Sequence, residues 1–292
     1  MGLQSMKPVL AAARDGHYGV AAFNIVDYNS ARAVVRAAEE LQAPVIVQVS
    51  VKTVRFWGPA AIAAWMCQLA GGSPVPISLH LDHCKETAVI RDCIAAGWTD
   101  VMIDASHQPF DENLALTKEV VAMAAGAGIG VEAELGQIGG VEEEKRVADA
   151  DARLADPDKA VLFCRDLPLA VFAPAIGTAH GLYKGEPKIA FDRLDTIARR
   201  TGLPIALHGG TGLSDEVFRK CIALGCAKVN ISTQLKHTFI DSFVGYHAAH
   251  REYEPLKPLG AQFESMKKDV MDKIILFGSA GRAAASILRF EE

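Results

Sequence analysis

Three histidines stand where short apolar runs of this sequence stop: His83 in Leu81-Asp82-His83, His180 in Thr178-Ala179-His180-Gly181, and His208 in His208-Gly209-Gly210. Three neutral imidazoles brought from separate segments match a catalytic zinc site, in which a fourth position stays open for substrate. Asp104 and Glu134 fall between them along the chain. These carboxylates could orient the imidazoles, hold a second divalent ion, or replace one of the ligands. A single histidine such as His83 more often serves as a satisfied core residue or a helix cap, so it is the set of three that favours a metal. His80, and with it His17, His107, His237, His247 and His250, occupies no matching position and is read as structural.

A second pattern concerns anions. Gly181 through Lys184, then Gly209-Gly210-Thr211-Gly212, then Asn230-Ile231-Ser232-Thr233, follow three successive apolar runs. Glycine-bearing turns that lead into a helix offer backbone N–H groups and a positive helix end, which suit a phosphate. A lone glycine run also makes plain tight turns. Paired with Lys184 and the polar stretch 230–233, it favours a phosphate.

The elements that must position these groups follow from periodicity. Runs rich in β-branched residues alternate with stretches of helical spacing, which predicts repeated βα units and a parallel sheet. Eight strands are expected at 19–25, 44–50, 76–82, 99–104, 129–135, 169–176, 204–208 and 227–231, with helices in stretches such as 29–42, 86–96, 111–126 and 214–224. Eight units predict an α/β fold of the (β/α)8 barrel type, a single domain over 1–292, whose chemistry collects at the C-terminal strand ends. An open doubly wound sheet is the alternative, but the first turn lacks G-x-G-x-x-G. The stretch 136–156 reads as a long polar loop, and 260–289 as a terminal helix pair outside the barrel.

Composition narrows the function. With a formal net charge of −5 and no basic tract, the chain lacks the electrostatic footprint of a nucleic-acid or anionic-membrane binder. No apolar run approaches the roughly 20 residues of a membrane span. The opening MGLQSMKPVL has no charged segment followed by an apolar stretch, so a cytoplasmic location is expected. Six scattered cysteines without a CxxC pair read as reduced thiols.

Taken in order, several segments resemble the class II fructose-1,6-bisphosphate and tagatose-1,6-bisphosphate aldolases over nearly the whole chain. They are Ala22-Phe23-Asn24, residues 44–50, Leu79-His80-Leu81-Asp82-His83, residues 101–107, Glu132-Ala133-Glu134-Leu135-Gly136, residues 177–181, residues 208–212 and residues 277–283. The resemblance implies that His83, His180 and His208 bind catalytic Zn2+, with Asp104 and Glu134 available to a second divalent position. It implies Asp82 as the acid/base on the C4 oxygen and Glu142 as carrier of the C3 proton of the dihydroxyacetone-phosphate half. Gly181, Lys184, Gly209, Gly210, Thr211, Asn230, Ile231, Ser232 and Thr233 then resemble the site for that half's phosphate. Asn24, Ser50 and Arg282 join the substrate site, Arg282 as an anion contact supplied from a neighbouring subunit of a homodimer or homotetramer. Carbonyls of Ala179, Gly181 and Gly209 would hold a monovalent cation, Na+ or K+.

The implied reaction cleaves or forms the C3–C4 bond of a ketose phosphate, and a metal polarising the C2 carbonyl supplies the electron sink. The first substrate in view is fructose 1,6-bisphosphate; its tagatose epimer or another ketose phosphate is the alternative. The sequence departs from the family after Ser50, where Val51-Lys52-Thr53-Val54-Arg55-Phe56-Trp57-Gly58 replaces small and aromatic residues. This is either a re-packed loop or a changed aldehyde site in which Lys52 or Arg55 meets a different anion. Two other classes stay in view, a phosphate-binding regulatory barrel and a Schiff-base enzyme. None of the eight expected strands ends in the lysine that the latter needs.

Overall fold

The computed structural model describes residues 2–142, 145–147, 154–181, 183, 185 and 187–284. In chain order the elements are α1 (Met6–Asp15), β1 (Val20–Asn24), α2 (Tyr28–Glu40), β2 (Val45–Ser50), α3 (Val51–Trp57), α4 (Pro59–Ala70), β3 (Ile77–Cys84), α5 (Thr87–Ala95), β4 (Asp100–Ile103), α6 (Phe110–Ala125) and β5 (Gly130–Leu135). They continue with β6 (Gly139–Glu142), β7 (Lys145–Val147), α7 (Pro157–Cys164), β8 (Val171–Pro174), β9 (Ala179–His180), α8 (Phe191–Thr201), β10 (Ile205–Leu207), α9 (Asp215–Ala223), β11 (Cys226–Ile231), α10 (Thr233–His250) and α11 (Leu256–Leu276). Eight strands close into a barrel in the order β1-β11-β10-β8-β5-β4-β3-β2. All neighbours run parallel. This is the (β/α)8 barrel, and its strands coincide with the eight apolar runs.

Successive residues of a strand face opposite sides, and the sequence exploits this. Phe23, Val45, Val47, Leu79, Leu81, Val101 and Val131 pack outward in the large core beneath the helices. Their neighbours Ala22, Ile46, Val171, Ala173 and Ala206 fill the lower lumen together with Met6, Val9, Leu10 and Ala13 of α1. The helices start at side-chain caps where the sequence supplies them. Asp27 and Ser30 form a reciprocal capping box on α2, and Ser214 caps α9.

Helix α1 closes the end of the barrel where strands begin. Asp100, the first residue of β4, accepts hydrogen bonds from Ser5 Oγ at 2.7 Å and from the Met6 N–H at 3.0 Å. With that end plugged, only the C-terminal strand ends are open to chemistry.

Two expectations are corrected. Residues 136–156 hold a β6/β7 hairpin, and with β9 these form a separate three-stranded sheet. Residues 51–57 form helix α3, capped by Ser50. The described part of the tail contributes α11, packed on α10 and α2, and is helical again at 283–284, where the described residues end.

Burial pushes the Asp100 carboxyl up to about 6, against the hydrogen bonds from Ser5, Met6 and Thr99. A folded-state value above the unfolded one of about 3.9 means that this group's stabilisation is full below about pH 4 and is lost as pH rises through about 6. Asp100→Ala, which leaves the Met6 N–H unpaired, is expected to cost about 1–3 kcal/mol at pH 4. In urea unfolding the gap to wild type should shrink by pH 7; a gap that does not change with pH contradicts this.

Candidate active site

Strand β3 carries two neighbouring groups of the site, which a regular strand would turn to opposite faces. The pairing of β3 with β4 shifts register between Leu81 and Cys84, and His83 adopts φ 47. A non-glycine residue in that region costs on the order of 1–3 kcal/mol and tends to mark a functional position. The bulge lets Asp82 face Asn24 of β1 while His83 turns to Asp104 beyond β4. Asn24 Nδ2 donates to Asp82 Oδ2 at 2.8 Å, and Gln48 Nε2 donates to Asn24 Oδ1 at 3.1 Å. Asp82 Oδ1 is buried and finds no hydrogen-bond partner among the described residues. One oxygen is thus anchored and the other is left for a proton.

The three expected histidines meet. Ring centroids lie 4.6 Å apart for His83 and His208, 5.1 Å for His83 and His180, and 6.1 Å for His180 and His208. Each offers a nitrogen within 4.8 Å of the other two, and His83, Asp104 and Glu134 form a second such group. Asp104 Oδ2 sits 3.1 Å from His83 Nδ1, while its Oδ1 accepts from Ser106 Oγ at 2.6 Å. Glu134 Oε2 lies 3.4 Å from His208 Nδ1 and 3.9 Å from His83 Nδ1.

A divalent ion fits these residues. His208 Nδ1 and Glu134 Oε2 are buried and have no hydrogen-bond partner among the described residues, a state that costs about 1–3 kcal/mol per group in a protein interior. A cation between imidazoles and carboxylates would satisfy both. The donor set, nitrogen with oxygen and no thiolate, suits zinc.

His180 reaches this cluster by a route that strand counting does not anticipate. Strand β8 ends at Pro174, and His180 belongs to β9, whose Gly140 and His180 pairing ties it to β6. The same β6 ends in Glu142, which the structure describes by its backbone alone. The turn carrying His180 is pressed against the β10 turn: a Cβ on Gly209, where φ is +66, would come within 2.5 Å of the Ala179 carbonyl oxygen. Only glycine fits. The Tyr183 hydroxyl joins the two turns, donating to the Gly209 carbonyl at 2.7 Å and accepting from the Ala179 N–H at 3.0 Å. Burial pushes that phenol up to about 12, which keeps it a donor. Tyr183 is not among the residues singled out from the sequence, although its place three residues after His180 in a glycine-bearing turn was its signal.

The phosphate candidates also gather. Gly209, Gly210 and Thr211 follow β10, Asn230 and Ile231 end the adjacent β11, and Ser232 and Thr233 open α10, whose first turn lacks a side-chain cap. Its first N–H groups are left for another acceptor. Gly181 lies directly after β9, and Lys184 falls outside the described residues. Ser50 pairs in register with Asp82, but its hydroxyl is engaged in capping α3.

Two candidate anion contacts lie away from this chain's own histidine cluster. The Gly281 N–H bonds to the Leu41 carbonyl and the Ala283 N–H to that of Gln42, and Arg282 lies over the Tyr18 ring at 5.4 Å. These partners precede β2 and β1, so Arg282 occupies the end of its own barrel opposite the histidines. Arg55 pairs with both oxygens of Glu86 at 2.6 and 2.8 Å on the exposed surface.

Beneath the histidines is a group that sequence reading left out. Glu132 Oε1 lies 2.7 Å from His208 Nε2, and its Oε2 lies 2.9 Å from Lys228 Nζ and 3.3 Å from His80 Nε2. Burial alone would raise the Glu132 carboxyl, but Lys228 and the His208 hydrogen bond outweigh it and hold the group well below the usual carboxylate range. His80 is held down to about 3 by burial and by Lys228. Lys228 Nζ also donates to Asn230 Oδ1 at 2.7 Å. A lysine in an otherwise apolar strand, two positions before Asn230, was the available signal.

A family model described as "Fructose-bisphosphate aldolase class-II" matches residues 4–282. The chain belongs to that family. It is 38% identical over 288 residues to the fructose-bisphosphate aldolase of Geobacillus stearothermophilus, covering 97% of this chain and 100% of that one. It is 42% identical over 237 residues to the 6-phospho-5-dehydro-2-deoxy-D-gluconate aldolase of Halalkalibacterium halodurans, covering 80% and 81% of the two chains. Among solved structures it is similar to the YdjI aldolase from Escherichia coli K12, with a TM-score of 0.85 and 31% identity over 96% of this chain and 99% of that one. The protein is therefore a class II aldolase, a carbon–carbon lyase of a metal-dependent family. No described helix is long and apolar enough to cross a membrane.

Zinc retained through gel filtration should be about one per chain in wild type and in Asp82→Ala, and lost in His83→Ala. Loss of the metal from both variants would show that Asp82 is a ligand.

Proposed function

We propose that this aldolase cleaves and forms the C3–C4 bond of a ketose 1-phosphate or bisphosphate, with dihydroxyacetone phosphate as one product. Fructose 1,6-bisphosphate, giving glyceraldehyde 3-phosphate as the other product, is the first substrate to test. The observation that carries this is the convergence of His83, His180 and His208 beside Asp82, whose free Oδ1 is buried at the same mouth. Zinc held by the three imidazoles would supply an electron sink at the carbonyl next to the reacting bond.

The chain's own residues do the rest. Asp82, fixed by Asn24, takes the proton of the C4 hydroxyl in cleavage and returns it in condensation. Glu142, carried on the strand beside His180, moves the C3 proton. The Gly209–Thr211 turn, Gly181, Lys184 and the 230–233 segment hold the phosphate of the dihydroxyacetone half. Asp104 and Glu134 orient His83 and His208 or serve a second divalent position. A Na+ or K+ ion at the Ala179, Gly181 and Gly209 carbonyls, a homodimer or homotetramer in which Arg282 serves a neighbour's substrate, and a cytoplasmic location complete this reading. Lys228 does not support a Schiff base, because its ammonium is buried between Glu132 and Asn230.

A second reading concerns the aldehyde half alone. Helix α3 carries the residues that depart from the family pattern there, Arg55 is occupied by Glu86, and the similar protein from Halalkalibacterium halodurans is named for a different sugar phosphate. The substrate is then tagatose 1,6-bisphosphate or another ketose phosphate. Condensing dihydroxyacetone phosphate with a panel of aldehydes, and resolving the product epimers, decides between them.

In that assay Asp82→Ala should lower kcat by about 10²–10⁴-fold, and near-wild-type turnover would remove its acid/base role. Arg55→Ala should change kcat/KM by less than about fivefold, since an exposed ion pair contributes about 0–1 kcal/mol. A larger loss confined to phosphorylated aldehydes would restore Arg55 as an anion contact.

A further inference from the structure

The pleat of β5 and β11 turns Glu132 and Lys228 into the lumen, one residue pair below Glu134 and Asn230. Both are fully buried. A buried ion pair of this kind gives weak stability relative to apolar residues of similar size, because desolvation offsets most of the attraction. Packing alone therefore does not explain why a lumen lined below by Ala22, Ile46, Val171 and Ala206 changes to charge at this level.

The contacts supply a reason. Glu132 Oε1 faces His208 Nε2 at 2.7 Å, while His208 Nδ1 faces Glu134 Oε2 at 3.4 Å. A carboxylate paired with an ammonium only accepts hydrogen bonds, and the Glu132 contact at 2.7 Å is much shorter than the Glu134 contact at 3.4 Å, so the hydrogen is drawn to Nε2 and the lone pair is left on Nδ1. That is the nitrogen on the side of the metal ligands. Lys228 holds the other oxygen of Glu132 and, being donor only, also takes Asn230 Oδ1 at 2.7 Å. The Asn230 amide is thereby fixed with its oxygen inward and its NH2 left to donate at the mouth.

We propose that Glu132 and Lys228 are positioning residues: they fix the tautomer and direction of the metal ligand His208, and through the same ammonium they orient the Asn230 amide toward substrate. The proposal rests on the metal-centre reading above. Neither residue touches the reacting atoms.

The test replaces the pair as a unit with Glu132→Leu/Lys228→Met, which removes both charges together and leaves no lone buried ion. Urea unfolding of the zinc-free protein should show one cooperative transition at somewhat lower urea than wild type, because no lone buried charge is left but His208 Nε2 and Asn230 Oδ1 each lose a partner. Competition with a chromogenic chelator should show zinc affinity lower by about 10–100-fold, the usual effect of losing a partner behind a ligating histidine. A folded double variant with wild-type zinc affinity overturns the proposal. Should that variant not fold, 15N NMR of the zinc-free wild type decides, recorded at a pH where His208 is neutral, with its signals identified by their absence in His208→Gln. Hydrogen on Nε2 supports the proposal, and hydrogen on Nδ1 overturns it. A wild-type chain that binds no zinc would instead defeat the metal-centre reading, while the tautomer still reports on Glu132 directly.

Discussion

Closing eight parallel strands on themselves while side chains alternate faces forces the inward residues of all strands to share one narrow lumen. Everything polar that enters it must find a partner across the barrel or face the open end. The lower levels meet this demand with alanine, isoleucine and valine against α1. Higher up, Gln48, His80, Glu132 and Lys228 are fully buried, with Glu132 Oε2 2.9 Å from Lys228 Nζ, while both His80 nitrogens make no hydrogen bond among the described residues. At the rim Asn24 meets Asp82, Asp104 faces His83, and Glu134 faces His208. The gradient from apolar to charged to open groups is what turns a packed barrel into a site.

That gradient also explains where strain is tolerated. His83 reaches the cluster through a bulge and a left-handed backbone, and His208 Nδ1 and Glu134 Oε2 lie side by side without hydrogen bonds. Each is unfavourable for the chain alone. Together they make sense as a cavity pre-shaped for a divalent ion, whose binding free energy offsets the local cost. The bulge has a second effect, placing the proposed proton carrier Asp82 and the proposed metal ligand His83 side by side at one mouth.

Much of this was legible in the sequence because it depends on short-range pattern. The apolar runs rich in β-branched residues located all eight barrel strands, and the polar residues at their ends located His83, His208, Asp104, Glu134 and Asp82. What was not legible depends on long-range pairing. The strand that carries His180 pairs with β6 and lies outside the barrel sheet, so no local apolar period marks it and the histidine looked like the end of β8. Arg282 follows a helix whose packing on α2 returns the tail to the strand-beginning end of the barrel. Arg55 looked available because nothing local announces Glu86, thirty-one positions on. Glu132 and Lys228 were visible as letters, but their role required knowing that they face each other across the lumen.

The proposed joint hold of His83, His180 and His208 on the metal is tested most directly by X-ray absorption of the zinc-loaded protein. Three imidazole nitrogens at about 2.0–2.1 Å, with any remaining ligands oxygen, is the expected first shell. A shell containing sulfur, or one with a single imidazole, would contradict the account.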